Sequence, residues 1–179
     1  FVDKYNNIEC IVSPILENYY TLRFEEFKQF LDKREFPQDS YILLCDSRDV
    51  LFQRNINDIV LTNKDLYVST EPRTTKMFNI ENIVNDPLIK KHSNNKEICC
   101  GTIIATYEFT KKYLNDFCNY LAMYPKLRVK QTSGLQSDQY LLNYLVYCKY
   151  NRYNIEFINM NNQLILTLGN SEYKLNDND

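Results

Sequence analysis

The spacing of apolar and polar positions changes several times along the chain, and each change marks an element. Tyr20, Phe24, Phe27, Phe30 and Leu31 recur at helical spacing, with Glu25, Glu26, Lys28 and Gln29 between them. This predicts an amphipathic helix with one aromatic face, begun at Thr21 or a little earlier and ended by Phe36-Pro37. Arg23 has the reach for a phosphate but is expected to face solvent. Tyr41 to Cys45 is a short run of little polarity, which suits a strand buried on both faces. Leu66 to Glu71 reads as a second buried strand, stopped by Pro72, and Ile98 to Thr106 as a third. Gly101 in the third allows close approach of a neighbour or ligand. Tyr107 to Met123 returns to helical spacing, with Phe109, Tyr113, Leu114, Phe117 and Leu121 on one face and Pro125 as its stop. A further helix opens at Ser137 and runs to about Lys149. Ile155 to Ile158 and Gln163 to Leu168 flank Asn161-Asn162, good turn chemistry for a C-terminal β-hairpin.

Between these elements Ile8 to Ile15 reads as a strand or extended arm, Asn57 to Leu61 as a helical turn and Ser133 to Gln136 as a turn. Residues 72 to 95 are polar and irregular, the kind of long connection that often walls an active site. The expected architecture is a single α/β domain over residues 1–179, with a mostly parallel central sheet flanked by helices.

Composition narrows the function classes. At 179 residues, with 44% hydrophobic and 25% charged residues, the chain can bury a core of its own. A net charge of −2 with no Lys/Arg-rich run gives no reason to expect a nucleic-acid partner. No stretch approaches the ~20 apolar residues of a membrane span. The six cysteines form no C-x-x-C pair and lie mostly in apolar segments, which favours reduced thiols and a cytoplasmic location. The chain begins at Phe1 without an initiator Met, which leaves open a longer protein with a targeting segment upstream.

The chemistry-bearing stretch is Tyr41-Ile-Leu-Leu-Cys-Asp-Ser-Arg-Asp-Val-Leu-Phe-Gln53. Asp46 sits where the strand leaves the sheet, and open α/β sheets bind ligands at the carboxyl ends of their strands. Asp46 and Asp49 together suit a hard divalent cation, which takes oxygen ligands. They equally suit a capped turn, with Asp49 paired to Arg48 or Arg54. Asp138 suits the first turn of its helix for electrostatic reasons alone. His92, between Lys91 and Ser93, is expected to be exposed.

The Asp-Ser-Arg-Asp-Val segment after its apolar strand resembles the Asp-x-Asp region of nucleotide-sugar glycosyltransferases of the GT-A fold. Further marks follow in that family's order: Glu71 at a strand end, Cys99-Cys100-Gly101-Thr102, which resembles the small-residue segment lining the donor sugar, and Asp138-Gln139 with Leu142-Asn143, which resembles the Asp-Gln…Leu-Asn motif of retaining members. The resemblance covers roughly Thr21 to Leu145. It implies a GT-A-like domain and Mn2+ or Mg2+ on Asp46 and Asp49. It implies a nucleotide-diphosphate sugar contacted by Arg48, Glu71, Gly101 and Thr102, with Asp138 and Gln139 facing the reacting carbon. The acceptor would be a glycan, a protein or a small molecule. Three departures stand out: Arg48 occupies the place of the second Asp, Leu166-Thr-Leu-Gly169 lacks the C-terminal His that often completes the metal site, and Ile8 to Ile15 is a poor candidate for the nucleotide-binding strand with which the family usually begins. A catalytically degenerate domain that binds a glycan or a partner is the alternative. A haloacid-dehalogenase-like phosphatase would also place Asp46 after a strand, but its second Asp would fall at Arg48.

Overall fold

The computed structural model describes residues 19–46, 50–52, 63–74, 78–81, 83–128, 137–159 and 165–167. Helix α1 spans Tyr19–Asp32, strand β1 Tyr41–Cys45 and β2 Val50–Phe52. Strand β3 (Leu66–Thr74) leads to two short helices, α2 (Phe78–Glu81) and α3 (Leu88–Lys91). The long strand β4 (Lys96–Thr106) runs directly into α4 (Tyr107–Met123). After a 3-10 turn at Pro125–Leu127 come α5 (Ser137–Tyr144), a π-helical turn at Leu145–Lys149, β5 (Ile155–Asn159) and β6 (Ile165–Thr167).

Four strands form one sheet in the order β1-β4-β3-β5, and β2 pairs with β6 in a separate ribbon. β4 is antiparallel to both β1 and β3, while β3 and β5 are parallel, with Leu66 beside Ile155 and Thr70 beside Asn159. The sheet is therefore mixed and not mostly parallel. β1, β3 and β5 share a direction, and β4 returns between them. This corrects the expectation for Tyr41–Cys45 too. Among the described residues β1 is an edge strand with β4 as its neighbour, and it is half-buried for most of its length. The strand buried on both faces is β4, where Glu97 to Ala105 are all buried.

Among the described residues, β5 and β6 do not pair with each other as the expected C-terminal hairpin would have them. β5 extends the large sheet along the free edge of β3, and β6 pairs antiparallel with β2, Val50 beside Thr167. Asn161-Asn162, the expected turn, lies outside the described residues, as do Ile8 to Ile15, Asn57 to Leu61 and Ser133 to Gln136. β3 also continues through Pro72 to Thr74. Its register against β4 shifts between Thr70 and Thr74, an irregularity that tolerates a residue without a backbone donor.

The main core lies between the sheet and helices α1, α4 and α5. Phe24 and Leu31, Phe109, Tyr113, Leu114, Phe117 and Leu121, and Leu141, Leu142 and Leu145 all pack with Leu66, Val68, Ile98 and Ile103. α4 follows its sequence pattern closely: the Thr106 hydroxyl accepts from Phe109 N at 3.3 Å as N-cap, and Pro125 follows its end. The other sheet face carries a smaller cluster of Tyr67 and Ile104, with Tyr41, Leu43 and Ile158 against it. Along β4 the helix-facing positions change from Ile98 and Cys100 to Ile103 and Ala105. That change of phase falls at Gly101-Thr102, where the register also shifts, so Gly101 permits a local kink. Among the described residues, no helix is long and apolar enough to cross a membrane.

Candidate functional site

Asp46 follows β1 directly, and its backbone N–H donates to the Gly101 carbonyl at 2.9 Å, so the strand's end is tied to the kink in β4. α5 lies along the first half of β4, held by Asn143. That side chain is fully buried; its Oδ1 accepts from Ile98 N at 2.8 Å and its Nδ2 donates to Ile98 O at 2.9 Å. It thus satisfies both backbone groups of one residue of β4, which the kinked ladder would otherwise strand. Nδ2 also donates to Gln139 O at 2.7 Å. The start of α5 is thereby brought to Cys100, Gly101 and the end of β1.

Arg23 closes the arrangement. Its Nη1 donates to Asp46 Oδ1 and its Nη2 to Asp138 Oδ2, the latter at 3.1 Å. One guanidinium from α1 thus spans two carboxylates that the sequence singled out separately. The Cys100 sulfur lies 4.0 Å from Nη2. Beyond Asp138, the Gln139 side chain donates to Glu71 Oε1 at 3.2 Å, both groups being buried. Asp46, Arg23, Asp138, Gln139 and Glu71 therefore form one continuous line of polar side chains between the end of β1 and the outer half of β3.

The electrostatics follow from burial. Desolvation raises the Asp138 carboxyl above its ordinary value, and the Arg23 charge and the Gln139 backbone N–H oppose this without cancelling it. For Arg23, burial alone would disfavour the charge, but the Asp138 and Asp46 carboxylates reverse the balance and hold the guanidinium firmly protonated. The Cys100 thiol is pushed far up, first by complete burial and then by Asp138, so it is no nucleophile here. Three buried polar atoms at or beside this line have no hydrogen-bond partner among the described residues: Arg23 Nε, Thr102 Oγ1 and Tyr113 OH.

The sequence expectations fare unevenly. Asp46, Glu71, Gly101, Asp138 and Gln139 are brought together. Thr102 is buried beside them on β4, opposite Cys45. Arg48 and Asp49 lie outside the described residues. Arg23, expected in solvent, is instead the hub, because the polar end of β1 and the start of α5 both open toward it. Nothing local could have shown this: its partners lie 23 and 115 positions away. Asn143 was visible as part of the Asp-Gln…Leu-Asn motif, but as a clamp on β4. His92 is half-buried, stacked on Tyr147 with centroids 5.9 Å apart and its Nδ1 bonded to Asn95 at 3.1 Å, in place of the expected exposure.

Among the described residues, no group of three or more His, Cys, Asp or Glu is placed to hold a metal ion. Cys45, Cys99, Cys100, Cys118 and Cys148 are free thiols, and Cys10 lies outside the described residues. Neither a protein-family model nor a curated protein matches the chain.

Proposed function

We propose that this line of polar residues is the donor site of a nucleotide-sugar glycosyltransferase with a GT-A-like arrangement. The observation that carries the reading is convergence. Asp46, Glu71, Gly101, Asp138 and Gln139 were marked by motif alone, from four separate stretches of sequence, and they meet at one place. Asp46 stands at the carboxyl end of β1, where open α/β sheets bind ligands, whereas Glu71, expected at a strand end, and Gly101 lie within β3 and β4.

Carboxylate oxygens are the ligands that a hard divalent cation takes. Asp46 is about a quarter exposed and accepts from Arg23 through Oδ1. Asp46 would hold Mn2+ or Mg2+ together with Asp49. The ion supplies charge neutralisation and a template for the departing diphosphate. In the transfer, the bond from the anomeric carbon to the diphosphate oxygen breaks and its electron pair leaves with the diphosphate. The acceptor oxygen bonds to the same carbon, and the hydroxyl proton passes to the departing diphosphate oxygen. Asp138 places negative charge beside the carbon as it becomes oxocarbenium-like. Gln139, fixed by Glu71, would orient the sugar or the acceptor hydroxyl. The Asp138-Gln139 pair favours retention of configuration at the anomeric carbon.

A second reading draws on a different observation. Arg23 already neutralises Asp46 and Asp138, as expected of a catalytically inert domain that binds a glycan or partner protein. Thermal unfolding with a panel of nucleotide sugars, each with and without Mn2+, separates the two. Ligand at a hundredfold excess over Kd stabilises the folded state by about 2.7 kcal/mol. Metal-dependent stabilisation by one donor supports the enzyme, and none by any donor supports the inert domain.

A further inference from the structure

In the core, aromatic rings meet edge to face, as Phe24 does with Tyr113 and Phe109 with Tyr150. His92, Tyr147 and Phe157 are arranged differently, as one stacked column. His92 and Tyr147 lie 15° from parallel with centroids 5.9 Å apart, and Tyr147 and Phe157 lie 7° from parallel at 5.7 Å. Tyr147 is the fixed middle: it stands on the π-helical turn, and its hydroxyl donates to the Lys96 carbonyl at 2.6 Å. Phe157 ends the column on β5, the edge of the sheet among the described residues, and is 43% exposed. Tyr147 lies against one face of the Phe157 ring, so the ring is open to solvent on the side away from it.

The surroundings are basic. Lys91 precedes His92, and Lys96 opens β4; both are exposed, and neither has a carboxylate partner among the described residues. Their neighbours are already paired, Lys90 with Glu81 at 3.2 Å and Lys149 with Asp86 at 2.8 Å. Alternation along β4 puts Lys96 on the helix-bearing face with Ile98 and Cys100, and pairing with Val68 puts Phe157 on that face too. Glu156, next to Phe157, is turned to the opposite face, where Lys64 meets it at 3.8 Å.

We propose that this surface binds a mononucleotide, with the base stacked on Phe157 and the phosphate met by Lys91 and Lys96. An open aromatic face beside two uncompensated ammonium groups is complementary to a planar ring that carries negative charge. A neutral sugar would use the ring and leave the lysines idle. A nucleic-acid strand stacks successive bases on a row of rings, and one open face takes one base. The column holds the Phe157 ring in place before the ligand arrives, so little side-chain freedom is lost on binding. The site uses none of the residues of the Arg23 line and needs no divalent cation, so it stands or falls apart from the donor reading.

The probes are AMP and UMP, titrated calorimetrically into the whole chain in metal-free buffer, with adenosine and a short thymidine oligonucleotide beside them. Both mononucleotides are expected to bind, because every base has a face to stack, and to bind more weakly as salt is raised. Phe157→Leu removes the ring and should lose about tenfold, while Phe157→Tyr keeps it and should stay within about twofold of the wild type. Changing Lys91→Gln and Lys96→Gln together should cost about fivefold and flatten the salt dependence. Adenosine, without the phosphate, should bind wild-type protein more weakly than AMP by the same about fivefold factor. All three positions are exposed, which keeps the fold out of the comparison, and circular dichroism checks it. Wild-type protein that binds neither mononucleotide overturns the inference and leaves the donor reading, which calls for Mn2+, untouched. Binding that Phe157→Leu leaves at the wild-type value also overturns it, since the base is then held elsewhere. An oligonucleotide bound more tightly than either mononucleotide overturns the choice of ligand.

Discussion

Arg23 Nη2 and Asp138 Oδ2 meet at 3.1 Å across 115 positions of sequence, while Nη1 of the same guanidinium holds Asp46. The bridge joins α1, β1 and α5, so it carries structural weight whatever the ligand. Removing one partner of a buried pair costs roughly 3–5 kcal/mol, because a charge is left uncompensated. Arg23 is 22% exposed, which lets water take up part of that loss. Arg23→Ala should therefore lower the unfolding free energy by about 2 kcal/mol, read from urea denaturation.

Asp138 gives the centre a pH signature. Its folded-state proton affinity is raised, chiefly by burial, so the folded chain holds that proton more tightly than the unfolded chain. Its contribution to stability is therefore fully present below the ordinary carboxylate value of about 4, and is lost as pH rises through the raised value. Asp138→Asn removes the titration. Denaturant unfolding at a series of pH values should show the variant gaining on the wild type as pH rises through that window. A constant difference across the series would show that Asp138 is not perturbed.

Asn143 tests whether the site depends on the docking of α5. Asn143→Ala strands the N–H and C=O of Ile98 in a buried setting, and should cost about 2–3 kcal/mol. Folded variant should also bind donor more weakly, because Asp138 and Gln139 lose their registration on β4. Leu114→Ala is the control: fully buried on α4, it should lose about 2–5 kcal/mol while donor affinity of the folded protein stays at the wild-type value. Equal effects of both variants on affinity would deny α5 a special part.

Much of this was legible because the local signals agreed with one another. α4 has an N-cap at Thr106, an apolar face at helical spacing and a stop at Pro125, so its bounds emerge as the spacing suggested. Tyr41–Cys45 was recognisable as a strand, but its place in the sheet was not. An apolar run says that neighbours exist and not how many, and among the described residues β1 has one. The C-terminal strands misled for a related reason. Asn161-Asn162 favours local pairing, yet β5 finds the open edge of β3 and β6 finds β2, contacts fixed by tertiary structure. The acidic residues could be marked because their types and order carry chemistry. Arg23 could not, since an arginine beside Phe24 on an amphipathic helix reads as a solvated flank until its two distant partners are in view.

Asp49 and Asp46 should differ when each is changed, although both are assigned to the same cation. Asp49 lies outside the described residues, and its assignment rests on the sequence alone. Asp49→Ala should leave the unfolding midpoint in the absence of ligand unchanged and abolish the Mn2+-dependent stabilisation by donor. Asp46→Asn removes a cation ligand and also a partner of Arg23, so ligand-free stability should fall by about 1 kcal/mol, in the range of partly exposed charge pairs. Thermal unfolding of both variants, with and without Mn2+ and donor, reads the two effects side by side. If Asp49→Ala keeps the full metal-dependent shift, Asp49 is not a ligand, and the cation must be held by Asp46 with other oxygen donors.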